Sequence, residues 1–198
     1  MGEGAGEGAG EGNVVVLVRH GQTEWSATGR HTSVTDLALT EHGRTQAEAL
    51  LGRLAGYRFD LVLTSPRRRA IETCQLAGLR EQAAIDADLA EWDYGDYEGL
   101  TSAEIDRRQP GWSLWRDGCP NGEDAASVAA RADRVIARCR AADGDAVLFA
   151  HGHVLRVLAA RWIGRGPDLG QALVLNTASV SVLGREHATG ALLCWNAT

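Results

Sequence analysis

The chain has 198 residues, with 20 basic residues, 26 acidic residues and a formal net charge of −6. A chain of this length normally forms one domain and buries enough apolar surface to fold without disulfides or a structural metal. The acidic balance argues against a nucleic-acid partner. No apolar run is longer than the five residues of Val14–Val18, far short of the roughly 20 residues of a membrane span, so no membrane partner is expected either.

Residues 1–12 repeat glycine, alanine and glutamate, and the remainder of the chain has ordinary composition. The repeat lacks the basic start and the apolar stretch of a signal peptide, and it has no side chains with which to form a core. We therefore expect a disordered tail over residues 1–12 and a single domain over residues 13–198. The four cysteines are widely spaced, which predicts reduced thiols and a cytoplasmic location.

The first half of the chain alternates predicted strands with predicted helices. Val14–Val18 is a β-branched run typical of a buried parallel strand, and Thr40–Ala55 carries apolar residues at helical spacing. Phe59–Thr64 predicts a second strand. Ser65 and Pro66 supply a cap and a first-turn proline for a helix that runs to about residue 76.

The second half continues the alternation after a long stretch rich in Trp, Gly and Asp, from residue 91 to residue 124. We expect that stretch to be a functional excursion with one short helix. The further predicted elements are a short strand at Ala84–Asp86, the short helix at Thr101–Arg108, a helix at Glu123–Ala142, a strand at Asp145–Ala150, a helix at Val154–Ile163 and a hairpin of Ser179–Leu183 with Ala191–Trp195. This order favours an α/β fold with three layers, α/β/α, around a mostly parallel central sheet.

Three of the buried strands are followed by clusters of polar residues. These clusters are Arg19–Thr23, Ser65–Arg69 and His151–His153, and Glu91 lies in the long excursion. Ligands bind beyond the carboxyl ends of strands in such sheets, so the histidines and arginines converge if the strands are neighbours. Arginines suit phosphate oxygens, a histidine can act as a nucleophile, and a carboxyl group can protonate a leaving oxygen.

Each cluster has a simpler interpretation when it is taken alone. An Arg-His pair or a histidine after a strand is usually a hydrogen-bonded loop residue. His151 and His153 have a spacing found in metal sites, but no carboxylate or cysteine pattern accompanies them, so we predict neither a metal nor another cofactor. The positive charges of Arg67–Arg69 lie at a helix start, where the helix dipole makes each of them unfavourable by about 0.3–1 kcal/mol. A bound anion would offset this repulsion.

Five motifs together resemble the histidine phosphatase superfamily, the phosphoglycerate mutase-like group. They are Val18–Trp25, Leu39–Gly43, Thr64–Ala70, Glu91–Gly99 and Phe149–His153, in the order and at the spacing of that family. The likeness is greatest to acid phosphatases of actinobacteria and extends to sedoheptulose-1,7-bisphosphatase. It spans nearly the whole chain and implies the phosphoglycerate mutase-like fold.

The resemblance implies a role for each matching residue. His20 corresponds to the nucleophile that becomes phosphohistidine, and Glu91 to the proton donor for the leaving alcohol. Arg19, Arg69 and His151 correspond to the residues that hold the phosphoryl oxygens. Arg69 is the choice among three arginines because it directly precedes the alanine of the Ser-Pro-x-x-Arg-Ala pattern.

The resemblance also implies residues that bind the substrate. Gln22 and Thr23 are expected to add hydrogen bonds to the phosphate or the substrate. Pocket-lining positions fall on Thr32, Ser33, Tyr94 and His153. The chain departs from many relatives at Ser26, where they have asparagine, and at Ser33, where they have glycine, which bears on the choice of substrate rather than on the reaction.

We therefore expect a phosphatase that acts on a small phosphorylated metabolite, such as a sugar phosphate or a phosphorylated acid. Activity is favoured at mildly acidic pH because Glu91 must carry a proton in the first step. The alternatives are a phosphoglycerate mutase-type transfer between hydroxyls, a phosphatase specific for sugar bisphosphates, and a phosphoprotein-binding module without catalysis. The mutase is disfavoured because many mutases carry longer insertions. Relatives are often dimers or tetramers, which leaves a homo-oligomer open.

Overall fold

A computed structural model describes residues 12–198. The strands are β1 (Val15–Arg19), β2 (Phe59–Thr64), β3 (Ala84–Ile85), β4 (Asp145–Ala150), β5 (Val180–Glu186) and β6 (Thr189–Ala197). The helices are α1 (Glu24–Ala27), α2 (Glu41–Leu54), α3 (Arg68–Leu76), α4 (Ser102–Arg108), α5 (Leu114–Asp117), α6 (Ala125–Ala141) and α7 (Gly152–Trp162). The tail expected at residues 1–12 lies, but for its last residue, outside the described residues.

The six strands form one sheet in the order β3-β2-β4-β1-β5-β6. The first four of these are mutually parallel, β5 runs antiparallel to β1, and β6 runs antiparallel to β5 and therefore in the direction of the first four. β4 therefore lies between β1 and β2, with Leu148 in register with Leu17 on one side and with Leu63 on the other. This arrangement confirms the mostly parallel central sheet and puts the ends of β1, β4 and β2 side by side.

Alternate residues of β1 face two different helical layers. Val16 and Val18 pack in a cluster with Leu50 of α2 and Cys74 of α3. The second cluster joins the other face of the sheet to α6 and α7 and includes Val15, Leu17, Leu148, Val135, Ile136, Leu155 and Leu158. Because helices cover both faces, the predicted three-layer α/β/α architecture is confirmed.

The predicted start of α3, with Ser65 as the cap and Pro66 in the first turn, is wrong by two residues. The helix begins at Arg68, and Arg67 occupies the cap position without a side-chain capping bond. Asp36, from a distant loop, accepts the backbone N–H of Arg68 at 2.8 Å instead. The Ser65 hydroxyl accepts the backbone N–H of Arg67, which precedes the helix, at 3.3 Å, and it has a second partner that is described below.

The long excursion contains the predicted helix α4, and also α5, which the sequence pattern did not predict. α7 begins at Gly152, two residues before the predicted start, because the backbone turns helical directly after the extended residue His151. No helix within residues 12–198 combines the length and the apolar character needed to cross a lipid bilayer. All four cysteines lie in this part of the chain as free thiols.

Candidate active site

The candidate site lies at the carboxyl ends of three neighbouring strands. The backbone N–H of His20, after β1, donates to Ala150 O at 3.0 Å, and that of Ser65, after β2, donates to Phe149 O at 2.9 Å. The rings of His20 and His151 meet edge to face, with centroids 5.1 Å apart. The sheet order thus brings together residues that lie far apart in the sequence.

The imidazole of His20 is nearly buried and held in one tautomer. Its Nδ1 lies 2.7 Å from Gly21 O, and because a carbonyl can only accept, Nδ1 carries the hydrogen. Burial, followed by the charges of Arg19 and Arg69, holds the pKa of His20 well below its ordinary value of 6.5. The ring is therefore neutral near pH 7, and Nε2 keeps the lone pair that a nucleophile needs.

His151 is fully buried and has a partner at each ring nitrogen. Arg69 Nε donates to Nδ1 at 3.1 Å, so Nε2 carries the hydrogen and donates to Ser65 Oγ at 2.7 Å. Burial, followed by the charge of Arg69, holds the pKa of His151 well below its ordinary range. The other Arg69 nitrogens donate to the carbonyl oxygens of Thr32, Ser33 and Thr35. In this state Arg69 and His151 bind each other.

The carboxylate of Glu91 lies at the N-terminal end of α7. Its Oε1 accepts the backbone N–H groups of Trp92 and Val154, both at 2.9 Å, and Oε2 accepts that of His153 at 3.0 Å. A helix N-terminus carries a partial positive charge, which attracts a carboxylate or another anion. A Cβ added at Gly152 would lie 3.7 Å from Glu91 Oε2 and 3.6 Å from the guanidinium carbon of Arg19, so this glycine leaves space between the two groups.

Arg19 has a buried nitrogen, Nε, that donates to no group within residues 12–198. Another of its nitrogens donates to Leu175 O, which fixes the direction of the side chain. A buried donor without an acceptor costs about 1–3 kcal/mol, so the arrangement favours an anion at this position.

The site opens into a cavity of about 210 Å³. Six of the eleven predicted site residues line it, namely Arg19, His20, Thr32, Glu91, Tyr94 and His153. Arg69 and His151 lie behind this surface, completely buried.

The structure does not place the side chains of Gln22, Thr23 and Ser33 in the cavity. The Gln22 side-chain oxygen accepts from the Thr40 hydroxyl at 2.9 Å. Thr23 caps α1 in a reciprocal capping box with Ser26, and the Ser33 hydroxyl donates to Glu91 O at 3.2 Å. Their polar atoms therefore fix the loops around the site, and their predicted contact with substrate has no support in this geometry.

Tyr94 and His153 form a second neutral pair at the cavity wall. The Tyr94 hydroxyl lies 2.7 Å from His153 Nδ1. Burial and the charge of Glu91 raise the pKa of Tyr94 well above its ordinary value, and burial and the charge of Arg156 hold the pKa of His153 well below its own. His151 and His153 thus have different partners, although their spacing resembled that of metal ligands.

The cavity also has polar lining residues that the sequence patterns did not indicate. These are Arg30, His31, Ser102 and Arg156, together with Ser26, which was noted only as a departure from relatives. His31 donates from Nδ1 to Leu100 O at 2.8 Å, and its ring is stacked on that of His153 with centroids 6.1 Å apart. Proximity in sequence was an available signal, since Arg30 and His31 directly precede Thr32 and Arg156 follows the last motif by three residues.

Comparison with known proteins matches residues 15–198 to the family model of the histidine phosphatase superfamily (branch 1). The chain is 43% identical over 178 residues to an acid phosphatase of Mycobacterium tuberculosis, covering 87% of each chain. It is 39% identical to sedoheptulose 1,7-bisphosphatase of Saccharomyces cerevisiae, covering 76% of this chain and 68% of the relative.

A third relative bears on the choice between phosphatase and mutase. A 2,3-bisphosphoglycerate-dependent phosphoglycerate mutase of Brucella anthropi is 35% identical over 199 residues, covering 88% of this chain and 92% of its own length. That mutase matches over nearly its whole length, so overall chain length does not separate the two activities.

Solved structures show the same fold. The product of an open reading frame of Mycobacterium tuberculosis, whose structure was solved together with its functional characterisation, superposes with a TM-score of 0.90 at 40% identity. The superposition covers 94% of this chain and 98% of that one. A mycobacterial glucosyl-3-phosphoglycerate phosphatase in complex with VO3 superposes with a TM-score of 0.84 at 32% identity, covering 94% and 100%.

Proposed function

The chain belongs to the histidine phosphatase superfamily, and from this premise we propose that it hydrolyses small phosphomonoesters through a phosphohistidine on His20. The observation that carries the proposal is the state of His20, whose Nδ1–H is fixed on Gly21 O while Nε2 stays unprotonated beside a cavity. The phosphatases among the relatives support hydrolysis. Sugar phosphates and phosphorylated acids are the leading substrates.

The first step transfers the phosphoryl group to the enzyme. His20 Nε2 attacks phosphorus and forms the P–N bond, while the bond from phosphorus to the leaving oxygen breaks. Protonated Glu91 gives its proton to that oxygen, so the product departs as a neutral alcohol. Glu91 lines the same cavity as His20, as this role requires.

The second step returns the enzyme to its starting state. The Glu91 carboxylate takes a proton from a water molecule, whose oxygen attacks phosphorus in line with the P–N bond. That bond breaks, inorganic phosphate leaves, and His20 regains its lone pair. Glu91 ends protonated, ready for the next cycle.

The phosphoryl oxygens are held by Arg19, Arg69 and His151. Arg19 Nε is already an unpartnered donor. Arg69 Nε donates to His151 Nδ1 in this state, so we propose that an entering phosphoryl oxygen takes over the Arg69 N–H and that His151 takes up a proton at Nδ1, through which it donates to a second phosphoryl oxygen. Catalysis then rests on positioning and on electrostatic stabilisation by groups that stay charged. Thr32, Tyr94 and His153 contact the leaving group.

A mutase-type transfer between hydroxyls is the second candidate, and the Brucella relative is the observation that favours it. Both reactions share the phosphohistidine and differ in whether water or a second hydroxyl accepts the phosphoryl group. Incubation with 3-phosphoglycerate and 2,3-bisphosphoglycerate distinguishes them. A phosphatase releases inorganic phosphate, whereas a mutase produces 2-phosphoglycerate with little phosphate release.

His20→Ala tests the proposed function directly. We expect kcat/KM for p-nitrophenyl phosphate to fall at least about 1,000-fold, because the nucleophile is lost. The exposed His42 of α2 provides the control, and His42→Ala should retain full activity. Quenched wild-type enzyme should carry an acid-labile phosphate that is absent from His20→Ala. Turnover by His20→Ala at the rate of the control would refute the proposal.

A further inference from the structure

The segment that carries Glu91 has little regular structure of its own. A single 3₁₀ turn, Ala87–Leu89, precedes it, and the chain leaves that turn at Ala90. Glu91 nevertheless has to present its carboxyl group in one orientation, because a proton donor acts only within hydrogen-bond distance of the leaving oxygen. Its position therefore depends on contacts from other elements.

Arg131 of α6 supplies the contacts before Glu91. Its side chain is buried, and Nη1 donates to Asp88 O at 2.8 Å and to Ala90 O. The Ala90 carbonyl belongs to the peptide unit from which Glu91 extends, so this hydrogen bond fixes that peptide unit directly. Arg131 is not among the residues that line the cavity, and its influence on the reaction has to pass through Glu91.

Glu123 supplies the contacts after Glu91. Its Oε2 accepts the backbone N–H of Asp93 at 2.9 Å, and its backbone oxygen accepts the indole N–H of Trp92, also at 2.9 Å. The backbone N–H of Glu123 donates in turn to Asp93 O at 2.9 Å. Both residues that follow Glu91 are thus held by the same glutamate, which does not line the cavity either.

Arg131 and Glu123 are joined to each other by a two-point ion pair. Nε and Nη2 of Arg131 donate to Oε1 and Oε2 of Glu123, each at 2.9 Å. Because the guanidinium is planar and stays charged, this pairing fixes the orientation of both side chains. The ion pair therefore connects the contacts before Glu91 to those after it.

We propose that Arg131 and Glu123 are positioning residues for the proton donor, which fix the backbone on both sides of Glu91 and so orient its carboxyl group toward the leaving oxygen. This inference rests on the proposed function. It concerns the proton transfer specifically, because neither residue lines the cavity in which phosphorus is attacked. A displaced donor slows only those reactions whose leaving oxygen needs a proton.

Two substrates with different leaving groups test the proposal. Glycerol 2-phosphate releases an alkoxide that has to be protonated as it leaves, whereas p-nitrophenyl phosphate releases a phenolate that is stable without a proton. In Arg131→Gln we expect kcat/KM for glycerol 2-phosphate to fall about 10–100-fold, because displacement of a reacting group by about 1 Å can cost about 100-fold. For p-nitrophenyl phosphate it should fall less than about threefold. The ratio kcat/KM covers the steps up to the phosphohistidine and excludes its hydrolysis.

Arg134→Gln is the matched control. Arg134 lies on the same helix and binds the same segment, with Nε 3.1 Å from Asp88 Oδ2, but it contacts an exposed carboxylate and not the backbone beside Glu91. This variant should leave both values of kcat/KM unchanged. If Arg131 only fastens α6 to the segment, Arg131→Gln would lower kcat/KM equally for the two substrates, and that result would overturn the inference.

A second variant covers the case in which Arg131→Gln does not fold. The single substitution leaves the Glu123 carboxylate without its counter-charge, whereas the double variant Glu123→Gln/Arg131→Gln replaces both charges and still lacks the guanidinium. We expect the double variant to show the same selective loss with glycerol 2-phosphate. A folded double variant with equal losses for the two substrates, or with no loss, would contradict the proposal.

Backbone NMR separates this inference from the proposed function. The Glu91 carboxylate accepts the N–H groups of His153 and Val154, so their amide shifts report its position whether or not a substrate is turned over. We expect both amides to shift in Arg131→Gln and neither to shift in Arg134→Gln. Unchanged amides in Arg131→Gln would refute the positioning role. Shifted amides, together with a Glu91→Gln variant that retains full activity on glycerol 2-phosphate, would support the positioning role and refute the proton transfer of the proposed function.

Discussion

At the scale of single residues, the buried imidazole of His151 depends on one hydroxyl. Ser65 Oγ is the acceptor for its Nε2–H at 2.7 Å, and Arg69 occupies its other nitrogen. Both Ser65 and His151 are completely buried, so water cannot replace a lost partner. The serine therefore fixes the tautomer of His151, in which Nδ1 faces Arg69 as an acceptor.

Ser65→Ala should consequently weaken both the fold and the reaction. We expect the free energy of unfolding to fall by about 1–3 kcal/mol, the cost of a buried donor left without an acceptor. We expect kcat/KM to fall about tenfold, because His151 is no longer held in one orientation. Urea denaturation and steady-state kinetics measure the two effects, and the ¹⁵N shifts of His151 report its tautomer.

The neighbouring buried residue Thr64 supplies the control for this substitution. Its hydroxyl bonds only locally, to Ser65 O at 3.3 Å, so Thr64→Val should retain most of the activity. Positioning by Ser65 is disproved if Ser65→Ala shows the same kinetics and the same His151 tautomer as Thr64→Val.

Motifs predicted the residues at the centre of this site but not those at its edge. His20, Glu91 and His151 stand in short patterns whose chemistry is recognisable. Arg156 is one of 20 arginines, the only basic residue type in the chain. What distinguishes it from Arg161, which pairs with Asp133 on the surface, is its place in the cavity wall, and only the packing of the elements decides that. Ser-Pro locally favours a helix start, but the tertiary bond from His151 determines where the Ser65 hydroxyl lies.

At the scale of elements, the loop after β1 is packed against the start of α2 without any intervening side chain. A Cβ added at Gly43 of α2 would lie against the Gln22 carbonyl oxygen and 2.7 Å from Gln22 N, and one added at Gly21 would strike the Gly43 carbonyl. Gln22 O also accepts the Thr40 N–H at 2.9 Å. Contact between two backbones therefore sets the position of the loop that carries His20.

Gly43→Ala should push this loop away from α2. We expect kcat/KM to fall about 10–100-fold, because displacement of a reacting group by about 1 Å can cost about 100-fold in rate. The free energy of unfolding should fall by about 1–3 kcal/mol through overpacking. Steady-state kinetics and urea denaturation provide the measurements.

Gly52 offers a matched glycine on the same helix. It is exposed, and a Cβ there would meet nothing within 4 Å. Gly52→Ala should therefore leave kcat/KM unchanged and stabilise the protein by about 0.5–1 kcal/mol through helix propensity. If Gly43→Ala behaved like Gly52→Ala, close backbone contact would not be what positions His20.

Most elements were predicted within a few residues, whereas the two four-residue helices were not. β2 and β4 are confirmed at the predicted bounds because each contains a compact apolar run, Leu61–Leu63 in β2 and Ala146–Ala150 in β4. α1 and α5 have four residues each, too few for a period to be visible. α5 ends at Gly118, whose φ of 64° lies in the left-handed region that glycine favours. A glycine at this position is compatible with a helix end, but it does not by itself predict the helix before it.

At the scale of the whole molecule, the sheet order concentrates neutral histidines in one place. The insertion of β4 between β1 and β2 brings His151 and His153 to the end of β1, near His20 and His31. Burial is the first cause that lowers the pKa of all four, below the ordinary value of 6.5. A site built for neutral imidazoles therefore makes stability depend on pH.

The sign of that dependence follows from proton counting. Below pH 6.5 the unfolded chain protonates these histidines, while the folded protein, with its lowered pKa values, does not. The unfolded state then binds more protons, so the stability that is fully present above pH 6.5 is lost as the pH falls toward the folded pKa values. In phosphate-free buffer, we expect the free energy of unfolding to decrease from about pH 6.5 to about pH 5, by at most about 1.4 kcal/mol per pH unit for each such histidine.

His153→Gln, which retains a hydrogen-bonding partner for Tyr94, should reduce the slope of this pH dependence by up to the contribution of one histidine. His187→Gln, at an almost fully exposed residue, should leave it unchanged. Urea denaturation at several pH values measures the slopes, and a stability that stayed constant or rose on acidification would show that these imidazoles take up protons without unfolding the protein.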